Sequence, residues 1–165
     1  MPTPILHKLR PARLADAEVL VGLIAPYVES GLVLPRSAAE VREQAGQFLV
    51  AENGTGAIVG CVALRDYGAG LVEIRSLAVA PAFGNHGIGS HLVESAVALA
   101  KERGAARIFA LTMRPHLFCR LGFHEVAKER WLREFPQKVW NDCRFCRKRD
   151  RCDETAVLLA VAAAG

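Results

Sequence analysis

Apolar and polar residues follow one another along the first part of the chain in an order that predicts both strands and helices. Residues 5–10 have the composition of a short strand, and residues 15–28 carry apolar side chains at helical spacing. Ser37 is placed to cap a second, short helix. Residues 48–52 and 57–65 then predict a hairpin, because the Asn-Gly pair between them supplies the positive φ that tight turns require.

The second part of the chain continues this alternation around glycine-rich turns. A strand at residues 71–79 follows the turn 67–70, and residues 88–100 carry apolar side chains three and four positions apart. This third helix ends in basic residues and Gly104, as helix C-termini favour. Residues 107–112 predict a further strand, so the whole pattern indicates an α/β domain.

Composition fits one domain of ordinary size. The chain has 165 residues, 52% of them hydrophobic, which is enough to bury one core, and no stretch has the composition of a linker. We therefore expect residues 1–165 to form a single domain. No apolar run approaches the roughly 20 residues that span a bilayer, and the N-terminal residues lack the pattern of a secretion signal. The expected location is the cytoplasm, with no membrane partner.

The turn between the strand 71–79 and the helix at residue 88 is suited to an anion. Gly87 and Gly89 let the backbone approach a ligand closely, and the first amides of a helix lack internal partners and attract negative charge. A tight strand-to-helix turn also needs glycine for steric reasons, so this pattern alone does not identify a site. The spacing matches neither the Walker pattern nor the Rossmann fingerprint. The turn therefore predicts a phosphate ligand of another kind.

Two segments resemble a known family. Residues 79–92 resemble the coenzyme A pyrophosphate loop of the GNAT N-acetyltransferase superfamily, and residues 118–123 resemble its later aromatic-x-x-Leu-Gly-Phe motif. The two motifs stand in the expected order and separation, and the resemblance covers the chain from residue 9 onward. It implies a GNAT-like α/β fold with a central mixed, mostly antiparallel sheet flanked by helices. It also implies acetyl-coenzyme A (acetyl-CoA) as the co-substrate.

The resemblance also implies contacts with this co-substrate. The pantetheine arm would lie between splayed neighbouring strands and pair with the backbone of residues 77–79. The residues concerned are Leu77, Ala78, Val79, Asn85, His86, Gly87, Ile88, Gly89, Ser90 and Phe118. Two positions depart from the family. Gly84 stands where an arginine or glutamine usually holds the pyrophosphate. Phe118 stands where many members have a tyrosine that protonates the departing thiolate. These departures favour an alternative, an acyl-coenzyme A sensor without turnover.

The strand before the glycine turn supplies a candidate base. Strict alternation along an extended strand would place five side chains on one face: Leu71, Glu73, Arg75, Leu77 and Val79. Acetyl transfer to an amine requires a neutral nitrogen, so a carboxylate near the thioester is needed to take up the proton. Glu73 is therefore the candidate catalytic residue. The alternative is that Glu73 and Arg75 form a structural ion pair on a solvated face of the sheet.

Three segments narrow the acceptor. Residues 34–37, 73–79 and 135–146 resemble the short bacterial amino-acid N-acetyltransferases that make N-acetylglutamate for arginine synthesis. The two carboxylates of glutamate need cationic partners. The cations in the matching segments are Arg36, Arg75 and Lys138. The predicted reaction is acetyl transfer to the α-amine of an amino acid, glutamate first, by direct attack in a ternary complex.

Alternatives to this acceptor remain open. A lone arginine such as Arg36 can equally stay solvated or assist a helix end, so each cation is a hypothesis. Another small amine or a peptide N-terminus would need the same chemistry at the nitrogen. The pattern also leaves a homodimer open.

Three cysteines near the C-terminus raise the question of a metal. Cys143, Cys146 and Cys152 offer three thiolates within a short stretch, which in a reducing compartment indicates zinc more than a disulfide. A fourth ligand is not evident in the sequence. We therefore assign no metal site, and the alternative is a set of reduced thiols.

Basic residues are concentrated between residues 128 and 151, within a net charge of +4. A basic surface of this kind can contact nucleic acid, but no recognition helix, aromatic stacking series or complete zinc finger accompanies it. Coenzyme A is itself a polyanion that such a surface would attract. We therefore predict a small-molecule amino-acid substrate and no nucleic-acid partner.

Overall fold

A computed structural model of the protein describes residues 7–29, 36–84, 86–127, 133 and 155–161. The strands are β1 His7–Pro11, β2 Phe48–Asn53, β3 Ile58–Asp66, β4 Leu71–Val79, β5 Arg107–Thr112, β6 His124–Val126 and β7 Thr155–Ala160. The helices are α1 Ala17–Glu29, α2 Ala38–Glu43, α3 Ile88–Glu102 and α4 Pro115–Cys119. Short 3-10 turns lie at Leu14–Asp16, Ala45–Gln47 and Pro81–Phe83.

The strands in the described ranges form one sheet in the order β1-β2-β3-β4-β5-β7-β6. Neighbouring strands are antiparallel except for β4 and β5, which are parallel. The predicted mixed, mostly antiparallel sheet flanked by helices is thus confirmed. In the described ranges, none of the helices combines the length and the apolar character that crossing a membrane requires.

Each face of the sheet carries its own apolar core. α3 and α4 cover one face, where Leu92 and Val93 are completely buried, and α1 and α2 cover the other, where Leu20 and Val41 are buried. Gly60 on β3 allows α3 to lie close to the sheet, since a Cβ there would meet the Leu92 Cδ1 atom at 3.0 Å. The two faces therefore present different surroundings to the strands between them.

Most of the predicted elements are confirmed, with ends shifted by at most two residues. α1 begins at Ala17 behind the 3-10 turn Leu14–Asp16, where the sequence predicted one helix from residue 15. The predicted cap of α2 is also confirmed: Ser37 Oγ accepts the Glu40 amide at 3.1 Å, and the Glu40 carboxylate accepts the Ser37 amide at 3.3 Å. β6 is the strand that follows the aromatic-x-x-Leu-Gly-Phe motif, and β7 was not predicted from the sequence.

The hairpin between β2 and β3 is confirmed, but its predicted turn chemistry is wrong. The positive φ lies at Gly56, at 83°, and neither residue of the Asn-Gly pair has one. The Asn53 side chain instead accepts hydrogen bonds from the amides of Thr55 and Ala57 at 3.1 and 3.0 Å. The turn is longer than the two-residue turn that an Asn-Gly pair usually forms.

A bulge in β4 overturns the prediction that five alternate side chains share one face. Ser76 has a φ of 55°, and the pairing with β3 gains one residue on β4 between Arg75 and Ala78. Beyond this point Leu77 and Val79 pack with the α3 core, whereas Ala78 packs with the α1 core. Arg75 pairs with a β3 residue, Ala63, that also packs with the α1 core. Glu73 and Arg75 therefore lie on the α1 face, and Leu77 and Val79 on the α3 face.

Candidate active site

The candidate site lies where β4 and β5 separate. The two strands pair only from Leu71 to Glu73 on β4 and from Arg107 to Phe109 on β5, although both strands continue beyond these residues. Glu73 is the last β4 residue in the ladder. Past it, the β5-facing edge of β4 has no strand partner among the residues that the structure describes. The splayed strands that the family resemblance implied are present.

Glu73 is a buried carboxylate at the apex of this split. The residue is 1% exposed, and its neighbour Arg75 on the same face has a side chain that is 8% exposed. The Arg75 Nη1 atom lies 3.9 Å from Glu73 Oε1, and Tyr67 Oη donates a hydrogen bond to the same oxygen at 3.0 Å. The expected ion pair exists, but it is buried rather than solvated. A buried pair of this kind is often functional, because burial of charge is costly.

The loop that precedes α3 fits an anion. The first intrahelical hydrogen bond runs from the His91 amide to the Gly87 carbonyl at 3.0 Å, so the amides of residues 88–90 have no carbonyl partner within the helix. Gly87 holds the cap position with a φ of 82°, and no side chain caps the helix. A Cβ on Gly89 would come no closer than 3.8 Å to its nearest neighbour, Val79 Cγ2. The backbone amides at this end are therefore accessible to a phosphate.

His86 adds a polar atom to this loop. Its Nδ1 atom is buried and has no hydrogen-bond partner within the described part of the chain. Such an atom costs free energy unless a ligand or water satisfies it.

Gly84 has an ordinary φ of −66°. The backbone there does not require glycine, so the missing arginine or glutamine side chain is a difference of composition alone. Asn85, also predicted to bind the pyrophosphate, lies outside the described residues.

The end of β4 beside the split consists of Leu77, Ala78 and Val79. Tyr27 on α1 donates a hydrogen bond from its hydroxyl to the Val79 carbonyl, which ties α1 to this end of the strand. Cys61 on β3 donates from Sγ to the Ser76 carbonyl at 3.4 Å, and burial raises the pKa of its thiol to about 12. The thiol therefore stays protonated and supports the bulge.

The remaining predicted site residues occupy different surroundings. Phe118 on α4 is buried in the α3-face core, where its ring meets Phe123 edge-on at 5.3 Å. Arg36 lies directly before Ser37, the cap residue of α2. α1 and α2 together cover the face of the sheet that bears Glu73. Lys138 lies outside the described residues. The role of each of these residues stays a prediction.

Metal binding by the three C-terminal cysteines is likewise untested. Cys143, Cys146 and Cys152 lie outside the described residues. Within the ranges 7–29, 36–84, 86–127 and 155–161, no group of three or more histidine, cysteine or acidic side chains is arranged to hold a metal ion.

Three residues around the site were not predicted from the sequence. Tyr67 was interpreted only as part of a turn, and neither Arg65 nor Tyr27 was among the candidates. The guanidinium of Arg65 lies over the Tyr67 ring, 4.9 Å from its centroid, and Arg65 is the cross-strand partner of Glu73. A signal was available for Arg65 and Tyr67, since a tight turn at residues 67–70 places the end of β3 opposite the start of β4. Nothing in the sequence indicated that Tyr27 reaches β4.

Comparisons with known proteins agree with this geometry. The sequence profile of the Acetyltransferase (GNAT) family matches residues 18–123. An uncharacterized N-acetyltransferase from Chlorobaculum tepidum is 43% identical over 150 residues, which cover 91% of this chain and 94% of that protein. The amino-acid acetyltransferase of Mycobacterium tuberculosis is 34% identical over 120 residues, which cover 72% of this chain and 68% of that protein.

Two solved structures have the same fold. A Mycobacterium tuberculosis protein in complex with coenzyme A is 28% identical, with a TM-score of 0.79 and coverage of 94% of this chain and 99% of that chain. The N-acetylglutamate synthase of Neisseria gonorrhoeae, complexed with coenzyme A and N-acetyl-glutamate, is 25% identical with a TM-score of 0.81. The match covers 97% of this chain but 36% of the synthase. The motifs, the split sheet and the match over residues 18–123 agree, and the chain belongs to the acetyltransferase (GNAT) family.

Proposed function

We propose that this chain transfers the acetyl group of acetyl-CoA to the α-amine of an amino acid, with glutamate as the first acceptor to test. The observation that carries the proposal is the buried carboxylate of Glu73 at the point where β4 and β5 part. The neighbours solved with coenzyme A support the co-substrate. The relatives named amino-acid acetyltransferases support the class of acceptor.

The loop and strand residues are suited to hold acetyl-CoA. We infer that the amides of Ile88, Gly89 and Ser90 bind the pyrophosphate together with Gly87 and His86, and that the β5-facing edge of β4 at residues 77–79 pairs with the pantetheine arm. When bound, acetyl-CoA supplies an acetyl thioester, whose carbonyl carbon accepts the amine and whose thiolate leaves.

Glu73 handles the proton on the acceptor nitrogen. The carboxylate takes one proton from the acceptor ammonium, directly or through a water, so that a neutral amine attacks. The C–N bond forms, the C–S bond breaks, and a second proton from the nitrogen ends on the departing sulfur. Phe118 has no acidic proton to offer. A thiol with a pKa of about 8.5 leaves without full protonation, so the reaction does not require a tyrosine at this position.

Two arginines, Arg75 and Arg36, favour an acidic amino acid as the acceptor. Arg75 lies on the same face as Glu73 and beside it. Arg36 precedes α2, one of the two helices that cover that face. A guanidinium binds a carboxylate in a planar, two-pronged contact, so these residues suit the two carboxylates of glutamate. The role of Lys138 rests on the family resemblance alone, and the cytoplasmic location remains an expectation from the sequence.

The second candidate is a sensor that binds acyl-coenzyme A without turnover. Two observations favour it: Gly84 lacks the usual cation of the pyrophosphate loop, and Phe118 is packed in the core in place of an acid. A third reading keeps the transfer chemistry but uses another small amine or a peptide N-terminus.

An acceptor panel tests these candidates. The protein is incubated with acetyl-CoA and each of the amino acids, and acetylated product is measured by mass spectrometry, since a thiol-release dye would also react with the five cysteines. Selective acetylation of glutamate is the expected result. Acetyl-CoA binding without product from any amino acid would favour the sensor or a larger amine.

A substitution at the base sharpens the test. Glu73→Gln should lower kcat by about a hundredfold or more, as removal of a general base does, with little change in the KM for acetyl-CoA. Glu94→Gln, on the exposed side of α3, is the matched control and should keep wild-type rates. Equal rates for Glu73→Gln and the wild type would remove Glu73 from the chemistry.

A further inference from the structure

The buried carboxylate of Glu73 has a directional hydrogen-bond partner in Tyr67. Tyr67 Oη donates to Glu73 Oε1 at 3.0 Å, which is a normal hydrogen-bond length. Arg75 Nη1 lies 3.9 Å from the same oxygen, which is too long for a hydrogen bond. Arg75 therefore attracts the charge, whereas Tyr67 can fix the direction in which the carboxylate points.

The Tyr67 ring is held from two sides. The ring of Phe109 on β5 lies 6.0 Å away between centroids and is tilted by 36°. The Arg65 guanidinium lies over the Tyr67 ring, 4.9 Å from the centroid, which is within the range of a cation–π contact. The hydroxyl is thus presented to Glu73 by a packed ring rather than by a mobile side chain.

The backbone under Tyr67 is also fixed. The Tyr67 amide donates to the Leu71 carbonyl at 2.9 Å, and the Leu71 amide donates to the Gly68 carbonyl at 3.0 Å. The Gly70 carbonyl accepts two amides at the start of β5, from Ala106 and Arg107, at 2.8 and 3.0 Å. The turn that carries Tyr67 is therefore joined to the strand that forms the other side of the split.

We propose that Tyr67 is a positioning residue for the acetyl transfer, whose hydroxyl holds the Glu73 carboxylate toward the space between β4 and β5. This inference rests on the proposed function, because it assigns Tyr67 a role through the base of that reaction. A carboxylate with several rotamers would otherwise spend part of its time turned away from the acceptor nitrogen. General-base catalysis requires hydrogen-bond reach to the proton, so fixing one oxygen raises kcat rather than substrate affinity.

A double-mutant cycle tests the proposal. Tyr67→Phe keeps the ring between Phe109 and Arg65 and removes only the hydroxyl, and we expect kcat to fall roughly tenfold, as for loss of a hydrogen bond to a charged group. The KM and the directly measured Kd for acetyl-CoA should stay within about twofold of wild type. In the Glu73→Gln background the same change should have little further effect, because Tyr67 acts through the carboxylate that is already absent.

Tyr27 provides the matched control, since the chain has two tyrosines and the Tyr27 hydroxyl bonds the Val79 carbonyl instead. Tyr27→Phe should change kcat by the same factor in the wild-type and Glu73→Gln backgrounds. Thermal unfolding and acetyl-CoA binding verify that each variant is folded.

The outcomes separate this inference from the proposed function. An active wild type in which Tyr67→Phe and Glu73→Gln have additive effects would overturn the role of Tyr67 and leave the acetyl transfer intact. An active wild type with unchanged kcat in Tyr67→Phe would overturn it as well. A wild type that acetylates no acceptor would overturn both.

Discussion

A carboxylate that is almost fully buried in a sheet loses its hydration, and the neighbouring side chains must compensate for that loss. Glu73 has a tyrosine hydroxyl at 3.0 Å and a guanidinium at 3.9 Å for this purpose. In the loop before α3 the reverse holds, since the Nδ1 atom of His86 is buried with no hydrogen-bond partner in the described part of the chain. At the scale of single residues the two halves of the site therefore differ, one satisfied from within and the other suited to an incoming ligand.

His86 should contribute to the binding of acetyl-CoA. His86→Ala removes a buried polar atom that we infer is satisfied by the bound pyrophosphate, so we expect the KM for acetyl-CoA to rise by about tenfold or more, as for loss of one hydrogen bond to a charged group. The KM for the acceptor should not change. Steady-state kinetics with each substrate varied in turn measures both constants.

His91 is the control for this variant. It lies in the first turn of the same helix and contacts the His7 ring, with 2.7 Å between His91 Nδ1 and His7 Nε2. His91→Ala should leave the KM for acetyl-CoA near its wild-type value. An equal rise in both variants would show that loss of any side chain at this end of α3 weakens binding.

At the scale of elements, β4 determines how the site is arranged. The bulge at Ser76 breaks the alternation of the strand, so Glu73 and Arg75 lie under α1 while Leu77 and Val79 lie under α3. The same strand leaves β5 just after Glu73. The Glu73 carboxylate and the backbone edge that we propose for the pantetheine arm thus lie on one strand without competing for one face.

Substitutions at Ser76 should report the backbone constraint. A φ of 55° is unfavourable for β-branched residues. Ser76→Thr should therefore lower the free energy of unfolding by about 1–3 kcal/mol and raise the KM for acetyl-CoA. Ser76→Gly, which adopts this φ without strain, should be as stable as wild type or more so. Urea unfolding measures the stabilities, and a Ser76→Thr variant as stable as wild type would contradict the idea.

The sequence predicted elements better than it predicted the site within them. Apolar spacing was sufficient for α1, α3 and the β2–β3 hairpin, because periodicity reflects which side of an element is buried. It could not predict the bulge, since serine has no preference for positive φ that would mark the position. Tyr67 was missed because the turn at residues 67–70 was interpreted only as a connection, although that turn places the tyrosine beside the start of β4. Glu73 itself was found through a family motif and its strand.

At the scale of the whole molecule, one charged cluster connects the edge of the sheet to the first helix. Arg10 on β1 forms an ion pair with Glu52 on β2, and its guanidinium contacts both carboxylate oxygens of Asp16, at 2.7 and 3.1 Å, just before α1. The Arg13 amide donates to the same Asp16 carboxylate at 2.7 Å. The hydrogen bond from Arg10 is the main cause that lowers the pKa of both Asp16 and Glu52.

Acid should therefore weaken the fold through this cluster. The folded-state pKa of Asp16 lies below its ordinary value of 3.8, so its contribution to stability is fully present above that value and is lost progressively as the pH falls from it through the lower folded-state pKa. We expect Asp16→Asn to be less stable than wild type at pH 7, and the difference to shrink below about pH 4. Urea unfolding at pH 7, 5 and 3.5 measures the difference.

Glu94→Gln, on an exposed position of α3, is the comparison for this experiment. Its stability relative to wild type should depend little on pH. A difference between Asp16→Asn and wild type that stays constant down to pH 3.5 would show that the Asp16 carboxylate does not contribute through its charge.

The division of β4 between two faces also bears on how such proteins diversify. In the proposed reaction, the acceptor lies on the α1 side of the strand with Glu73 and Arg75, and the nucleotide lies at the end of β4 and in the loop before α3. A lineage can therefore replace its acceptor by substitutions on one side of a single strand while the other side is inherited unchanged. In the proposed reaction, one extra residue in β4 thus separates the side of the strand that meets the acceptor from the side that meets the nucleotide.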